Sequence, residues 1–528
     1  MPSHPSASPW VSRLLLMALV AMLAPAAFPR AVVAAPAFVV DSTLDEPDAA
    51  PGLGKCSSTP SAKCTLRAAI MEANRTSGAS IMVPAGNYKL KIPPSGTDDD
   101  STGDLNITSN MTIAGAGLDV TSVDGNQIDR IFNIGPNTTC TLSGMQIFNG
   151  AVGPTAFGGG IFNAGILTLD QVLIDGNSGG AGGGGIYNQS AAILTVYYSD
   201  IEGNSAAGLG GGILNWYGNG TVTIENTIIS SNIAGPTEGG GGFANLSGSV
   251  TISNSTISGN TSYQDGGGII NGGGTMKLNN STVWKNSAKG ATDGWGGGIA
   301  NAGILTIAGT AIYSNTAVLY GGGIGTTGGG LAIVNSTIGA NQADTDGGGI
   351  WANNSPLGYV NLYNVTITQN YADADLNGTG TGGGIFNVTP AEPVAFANSI
   401  VALNFETLHA GPVYIPVPGD CSGTLASLDY NLLASVNASH CTISGVTTHD
   451  LLTSPELGPL VNNGGPTPTY ALLPGSPAID AGNPSGCSDG NGGSLTTDQR
   501  GSMRPVGPRC DIGAFEYGLF LYLPLISH

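Results

Sequence analysis

Gly210-Gly211-Gly212-Ile213-Leu214-Asn215, closed seventeen residues later by Asn232, is one of nine copies of a single unit between positions 158 and 404. The same glycine triplet precedes Ile161, Ile186, Phe243, Ile269, Ile299, Ile324, Ile350 and Ile385. The units close on Asn177, Asn204, Asn232, Asn260, Asn286, Asn315, Asn341, Asn370 and Asn404. Counting back from each asparagine, positions −10, −8 and −3 are apolar in every copy, as in Val250, Ile252 and Ile257 before Asn260. Closing asparagines 26 to 34 residues apart mark stacked repeats rather than a closed globule.

The two-residue spacing of the apolar positions is a strand spacing, because alternate side chains share a face. Val250-Thr251-Ile252 and Leu305-Thr306-Ile307 add β-propensity, and the glycine triplets would break a helix. A leucine-rich repeat places its apolar residues at 1, 4 and 6 with Asn at 9, whereas here they fall at 1, 3 and 8 with Asn at 11. A propeller blade needs about 40 residues or more. The fold expected is all-β: a right-handed parallel β-helix of the pectate-lyase-like kind, handed by the rule for parallel crossovers. The closing asparagines should stack as an amide ladder. A second ladder is expected two residues past each triplet's apolar residue, at Asn163, Asn188, Asn215, Asn245, Asn271, Asn301 and Asn387, interrupted at Thr326 and Ala352.

Outside the repeat, residues 1–37 read as a secretory signal: Arg13, an apolar run from Leu14 to Ala24, then small residues ending in Ala35-Pro36-Ala37. That run is too short to span a bilayer. Residues 38–157 hold an N-terminal cap and the first coils, and residues 405–517 a C-terminal cap. The last stretch, 518–528, is a short apolar tail, also too short to cross a bilayer. Export permits disulfides, and proximity suggests Cys56 with Cys64, Cys421 with Cys441 and Cys487 with Cys510. Cys140 is left over in a strand, as a buried small hydrophobe. Leu66, Ala69, Ile70 and Ala73 fall on one face of the single amphipathic helix and would cover the open end of the first coil.

Cys64-Thr65-Leu66-Arg67-Ala68-Ala69-Ile70, followed by Glu72-Ala73-Asn74, resembles the CSLREA segment near the start of many secreted bacterial β-helix proteins. Glu456-Leu457-Gly458-Pro459-Leu460, Leu473-Pro474-Gly475-Ser476-Pro477-Ala478-Ile479-Asp480 and Asp511-Ile512-Gly513-Ala514-Phe515-Glu516 together resemble the choice-of-anchor Q domain of bacterial surface proteins. The glycine-triplet units are similar to polymorphic outer-membrane protein repeats. These resemblances imply an exported cell-surface protein with a capped β-helix, used for adhesion or envelope display without catalysis. Its ligand would be a glycan or protein of the envelope or extracellular space.

The alternative is a polysaccharide-binding or polysaccharide-degrading β-helix, acting as a lyase or hydrolase. A pectate lyase needs a basic residue and calcium-binding acids on one strand face. Here no arginine lies between Arg130 and Arg500 and no histidine between His4 and His409. The repeat carries only Lys277, Lys285 and Lys289 as cations, so catalysis there would rest on carboxylates without basic partners. Four acids precede triplets, Glu238, Asp265, Asp293 and Asp346, and would be the ligands of a calcium ion if one is bound. A solvated loop is the competing account. Trp216, Tyr217, Trp295, Tyr320 and Trp351 could stack on sugar rings or pack in turns. Asp480, Asp498, Arg500, Arg504, Arg509, Asp511 and Glu516 read as a structural ion-pair network. A net charge of −20 argues against nucleic acid as a partner.

Overall fold

The computed structural model describes residues 37–96, 99–237, 239–354, 358–410, 413–435 and 440–518. Residues 1–36, which hold nearly all of the expected signal at 1–37, lie outside the described residues, as do Glu238 and the tail from 519 onward. The chain forms a parallel β-helix, each coil pairing in register with the next. One coil shows the plan: an opening strand Ile213–Asn215, a long strand Thr221–Glu225, a short strand Ile228–Ser230 and a two-residue strand Ile233–Ala234. They pair with Phe243–Asn245, Ser249–Ser253, Thr256–Ser258 and Thr261–Ser262 of the following coil.

The apolar positions of the repeat are the core. Ile213, Val222, Ile224 and Ile229, like their counterparts in neighbouring coils, have no exposed surface. Turn chemistry explains the other fixed residues. The residue before each closing asparagine is left-handed, with φ between 53° and 63° from Gly176 to Leu403. So is the residue joining long to short strand, an asparagine in most copies, such as Asn226 at 51° and Asn254 at 50°; asparagine tolerates this region better than branched residues. In the triplet, Gly210 is left-handed at 62°, and a Cβ on Gly211 would come within 2.4 Å of the Ile233 carbonyl oxygen of its own coil and 2.5 Å of the Gly241 carbonyl oxygen of the next. Backbones of adjacent coils pass too closely there for any side chain.

The closing asparagines do form a continuous ladder. Each Nδ2 donates to Oδ1 of the next coil's asparagine at 2.9–3.0 Å, from Asn177 to Asn404. Each backbone N–H donates to the same oxygen, and each Nδ2 also donates to a carbonyl of the preceding coil, as Asn232 does to Ile201 at 2.9 Å. All the amides therefore point the same way, and none of their buried polar groups is left unpaired. The second ladder runs from Asn163 to Asn301 and ends on the Thr326 hydroxyl at 3.2 Å. A third, of hydroxyls, lies five residues before the closing asparagine. Ser199, Thr227, Ser255, Ser281, Thr310 and Ser336 each accept a backbone N–H from the coil before.

At the N-terminal end, helix α1 (Leu66–Ala73) is buried along its whole length, and Leu66, Ala69, Ile70 and Ala73 join the solenoid core. Thr65 caps it by accepting the Ala68 N–H at 3.1 Å. Buried Arg67 pairs with Asp45 at 2.6 Å, and buried Glu72 accepts the N–H groups of Gly52, Leu53 and Gly54. Disulfides join Cys56 to Cys64, Cys421 to Cys441 and Cys487 to Cys510, while Cys140 is free and buried.

Parallel pairing does not stop at Asn404, where the repeat pattern breaks. Cys421–Leu428 pairs with Ile385–Asn387 and Val394–Ala397, and Cys441–Val446 adds a further strand. From Leu457 onward the C-terminal cap runs back along the flank of the solenoid. Thr467 donates to the Gly309 carbonyl, Gln499 accepts from Thr337, Tyr470 packs against Gly339, and Ile512 and Phe515 bury Ile400 and Ala402. The charged group holding this flank is smaller than the sequence suggests. Arg500 pairs with Asp498 at 2.7 Å and Arg504 with Glu516 at 2.9 Å, all buried, whereas Arg509 is exposed. Burial pushes Asp511 up to about 7. Its carboxylate accepts the backbone N–H groups of Asp480 and Tyr517.

Candidate functional site

The outward side of the opening-strand sheet is not polar. The middle residue of each opening strand points away from the core, and in register these read Phe162, Tyr187, Leu214, Ala244, Ile270, Ala300, Gly325, Trp351 and Phe386. Residues from the loops before the triplets and just after the opening strands fold over this row. Phe157 stacks on Tyr187 at 4.6 Å between ring centroids, and Trp216 lies 5.1 Å from Phe157. With Leu209, Leu214 and Leu246 they make a second apolar cluster outside the solenoid core.

Two adjoining hollows open along this row and share Thr237. One, of about 330 Å³, lies between Pro154, Phe157, Ala207 and Trp216. The other, of about 340 Å³, has an apolar floor of Leu209, Leu246 and Ile270, a wall formed by Tyr217, and a polar end at Gln264, Asp265 and Asp293. The Tyr217 ring is 58% exposed and sits edge-on to Trp216 at 5.3 Å. Burial is the largest influence on Asp265; with the Asp293 charge added, it raises the carboxyl to about 7, against a backbone hydrogen bond from Trp295. The Gln264 amide donates to the Pro236 carbonyl at 2.6 Å, which leaves its Oε1 buried without a partner.

The structure thus separates the aromatic candidates. Trp216 and Tyr217 border open space. Trp295, Tyr320 and Trp351 close on one another: Tyr320 and Trp351 stack at 4.9 Å and 15°, Trp351 is 8% exposed, and Trp295 lies over Gly325. A side-chain Cβ at 325 would come within 2.6 Å of the indole, so glycine makes room for it. Among the described acids of that set, Asp265 and Asp293 share a hollow. Asp346 lies further along, its carboxyl raised by burial and accepting the Thr381 N–H at 2.9 Å. Among the described residues no three His, Cys, Asp or Glu side chains form a group that could hold a metal ion. Leu246 and Gln264, which sequence reasoning missed, complete the floor and the polar end. Only the outward register of Leu214, Ala244 and Ile270 could have signalled a floor there.

No family model and no curated protein matches the chain. Among solved structures it is similar to the pectate lyase Pel9A. The identity is 13% and the TM-score 0.39, over 92% of this chain and 98% of that one. Among the described residues no helix is long and apolar enough to cross a membrane.

Proposed function

We propose that this chain is an exported solenoid that presents a glycan-binding groove at the cell surface and holds its ligand without transforming it. The observation that carries the reading is Tyr217, an exposed ring beside an apolar floor with hydrogen-bonding groups at one end. Apolar surface with a few convergent polar groups is the usual make-up of a ligand site, and a ring fixed on a stacked scaffold offers its surface at little entropic cost. The signal-like N-terminus, the resemblance to secreted surface proteins and the three disulfides support export.

Asp265 favours a second reading. A carboxyl raised to about 7 beside a second carboxylate, Asp293, is the material of general acid catalysis in glycoside hydrolysis. A glycan array on the mature protein, followed by product analysis of every hit, decides between the two. Binding that Tyr217→Ala removes, with the sugar recovered intact, supports the first. Release of shortened sugars supports the second, and an array without hits removes both.

A further inference from the structure

We infer that the groove selects glycans bearing ammonium groups, the class of deacetylated amino-sugar polymers, and turns away uronic acids. This deepens the glycan-binding reading and rests on it.

The polar end of the groove is built almost wholly of acceptors. Asp265 and Asp293 face one hollow, where burial and then the Asp293 charge raise the Asp265 carboxyl. Gln264 Oε1 is held beside them, its orientation fixed by the Nε2 bond to Pro236, with nothing donating to it. A buried acceptor without a donor is unfavourable, so the occupant that suits it best brings N–H or O–H groups. Two carboxylates further favour a cation over a neutral donor. The nearby lysines do not reverse this. Lys289 lies over the Tyr263 ring at 6.0 Å and Lys285 over Trp284 at 4.6 Å, and neither lines the hollow. An ammonium beside Tyr217 also meets the favourable face of an aromatic ring. A uronate carboxylate would instead face two acids, with no lysine, arginine or histidine among the described lining residues to receive it.

The groove has the length for a polymer. Its lining comes from successive coils between Pro154 and Asp293, from the opening strands and the loops on either side of them, stacked at the parallel-strand spacing of about 4.8 Å per coil.

The test uses the mature protein and three oligosaccharides of equal length: chitosan oligomer, its N-acetylated counterpart and oligogalacturonate, titrated calorimetrically at neutral pH and low salt. The chitosan oligomer should bind most tightly and weaken as salt is added, with no binding of oligogalacturonate. Asp265→Asn should cost the chitosan oligomer roughly tenfold more affinity than it costs the acetylated one, the loss of one charge-assisted hydrogen bond. Asp293→Asn, at an exposed position, is the second variant should the first fail to fold. Equal affinity for all three sugars, tighter binding of oligogalacturonate, or a preference untouched by both variants would overturn the selectivity while leaving glycan binding standing. Silence of all three sugars would likewise overturn the selectivity, and silence across the glycan array as well would remove the glycan-binding reading itself.

Discussion

Asn404 donates both its backbone N–H and its side-chain Nδ2 to one carboxylate oxygen of Asp420, at 2.9 and 3.0 Å. An asparagine placed there would have to send its own Nδ2 onward, whereas a carboxylate only accepts. The other Asp420 oxygen takes the Ser435 N–H at 2.8 Å. Asp420 thus ends the ladder with every donor satisfied.

Burial pushes Asp420 up to about 6, against the hydrogen bonds it accepts, from an ordinary value near 3.8. The folded state therefore holds this proton more tightly than the unfolded chain does. Its contribution to stability is complete below about pH 4 and is lost as pH rises through about 6. Asp420→Asn removes that slope. Relative to wild type, the variant should gain about 2–3 kcal/mol between pH 4 and 7, read as the difference between the two unfolding curves at each pH.

Within the ladder, Asn260→Ala strands the Asn232 backbone N–H and one of its two Nδ2 hydrogens, the other staying on the Ile201 carbonyl, and removes the donor to the Ile229 carbonyl. A loss of about 3–4 kcal/mol is expected in denaturant titrations. Ser255→Ala, one ladder away, orphans a single N–H, that of Thr227, and should cost about 1 kcal/mol. Equal costs would mean that the amide ladder contributes no more than the hydroxyl one.

The two aromatic clusters should part company under mutation. Tyr217→Ala ought to abolish glycan retention in affinity electrophoresis with the melting temperature unchanged, because the ring is largely exposed. Trp351→Ala should lower stability by about 3 kcal/mol through loss of the stack on Tyr320 and leave retention intact.

Arg504 fixes the flank. It bonds Glu516 at 2.9 Å, Asn335 at 3.0 Å and the Gly513 carbonyl at 2.7 Å with no exposed side-chain surface. Arg504→Ala buries Glu516 unpaired, at about 3–5 kcal/mol. Limited proteolysis should then cut between 457 and 517 while the strand signal of the solenoid in circular dichroism persists. Arg509→Ala, at an exposed site, should behave as wild type.

The coils were legible because their signal repeats: Val222, Ile224 and Ile229 recur at fixed offsets, and each recurrence reports the same burial. The hydroxyl ladder recurs too, at Ser199, Thr227 and Ser255, but serine and threonine are ordinary in turns and so carry no mark of burial. The path of the C-terminal cap could not be read. Thr467 meets Gly309 across 158 residues, and Arg504 meets Asn335 across 169, contacts with no period to betray them. The groove lay hidden for a related reason. The outward row it lies on varies from Leu214 to Ala244 to Ile270, since outward residues answer to the loop above them rather than to the repeat.

Because every ladder amide faces the same direction, a unit copied between Asn177 and Asn260 would hand its hydrogen bonds on unchanged. The C-terminal flank clasps coils from Gly309 onward and would not notice the insertion. Tandem duplication in that stretch would lengthen the groove one coil at a time without redesigning either end. Reach along a polymer is, for this scaffold, a matter of copy number.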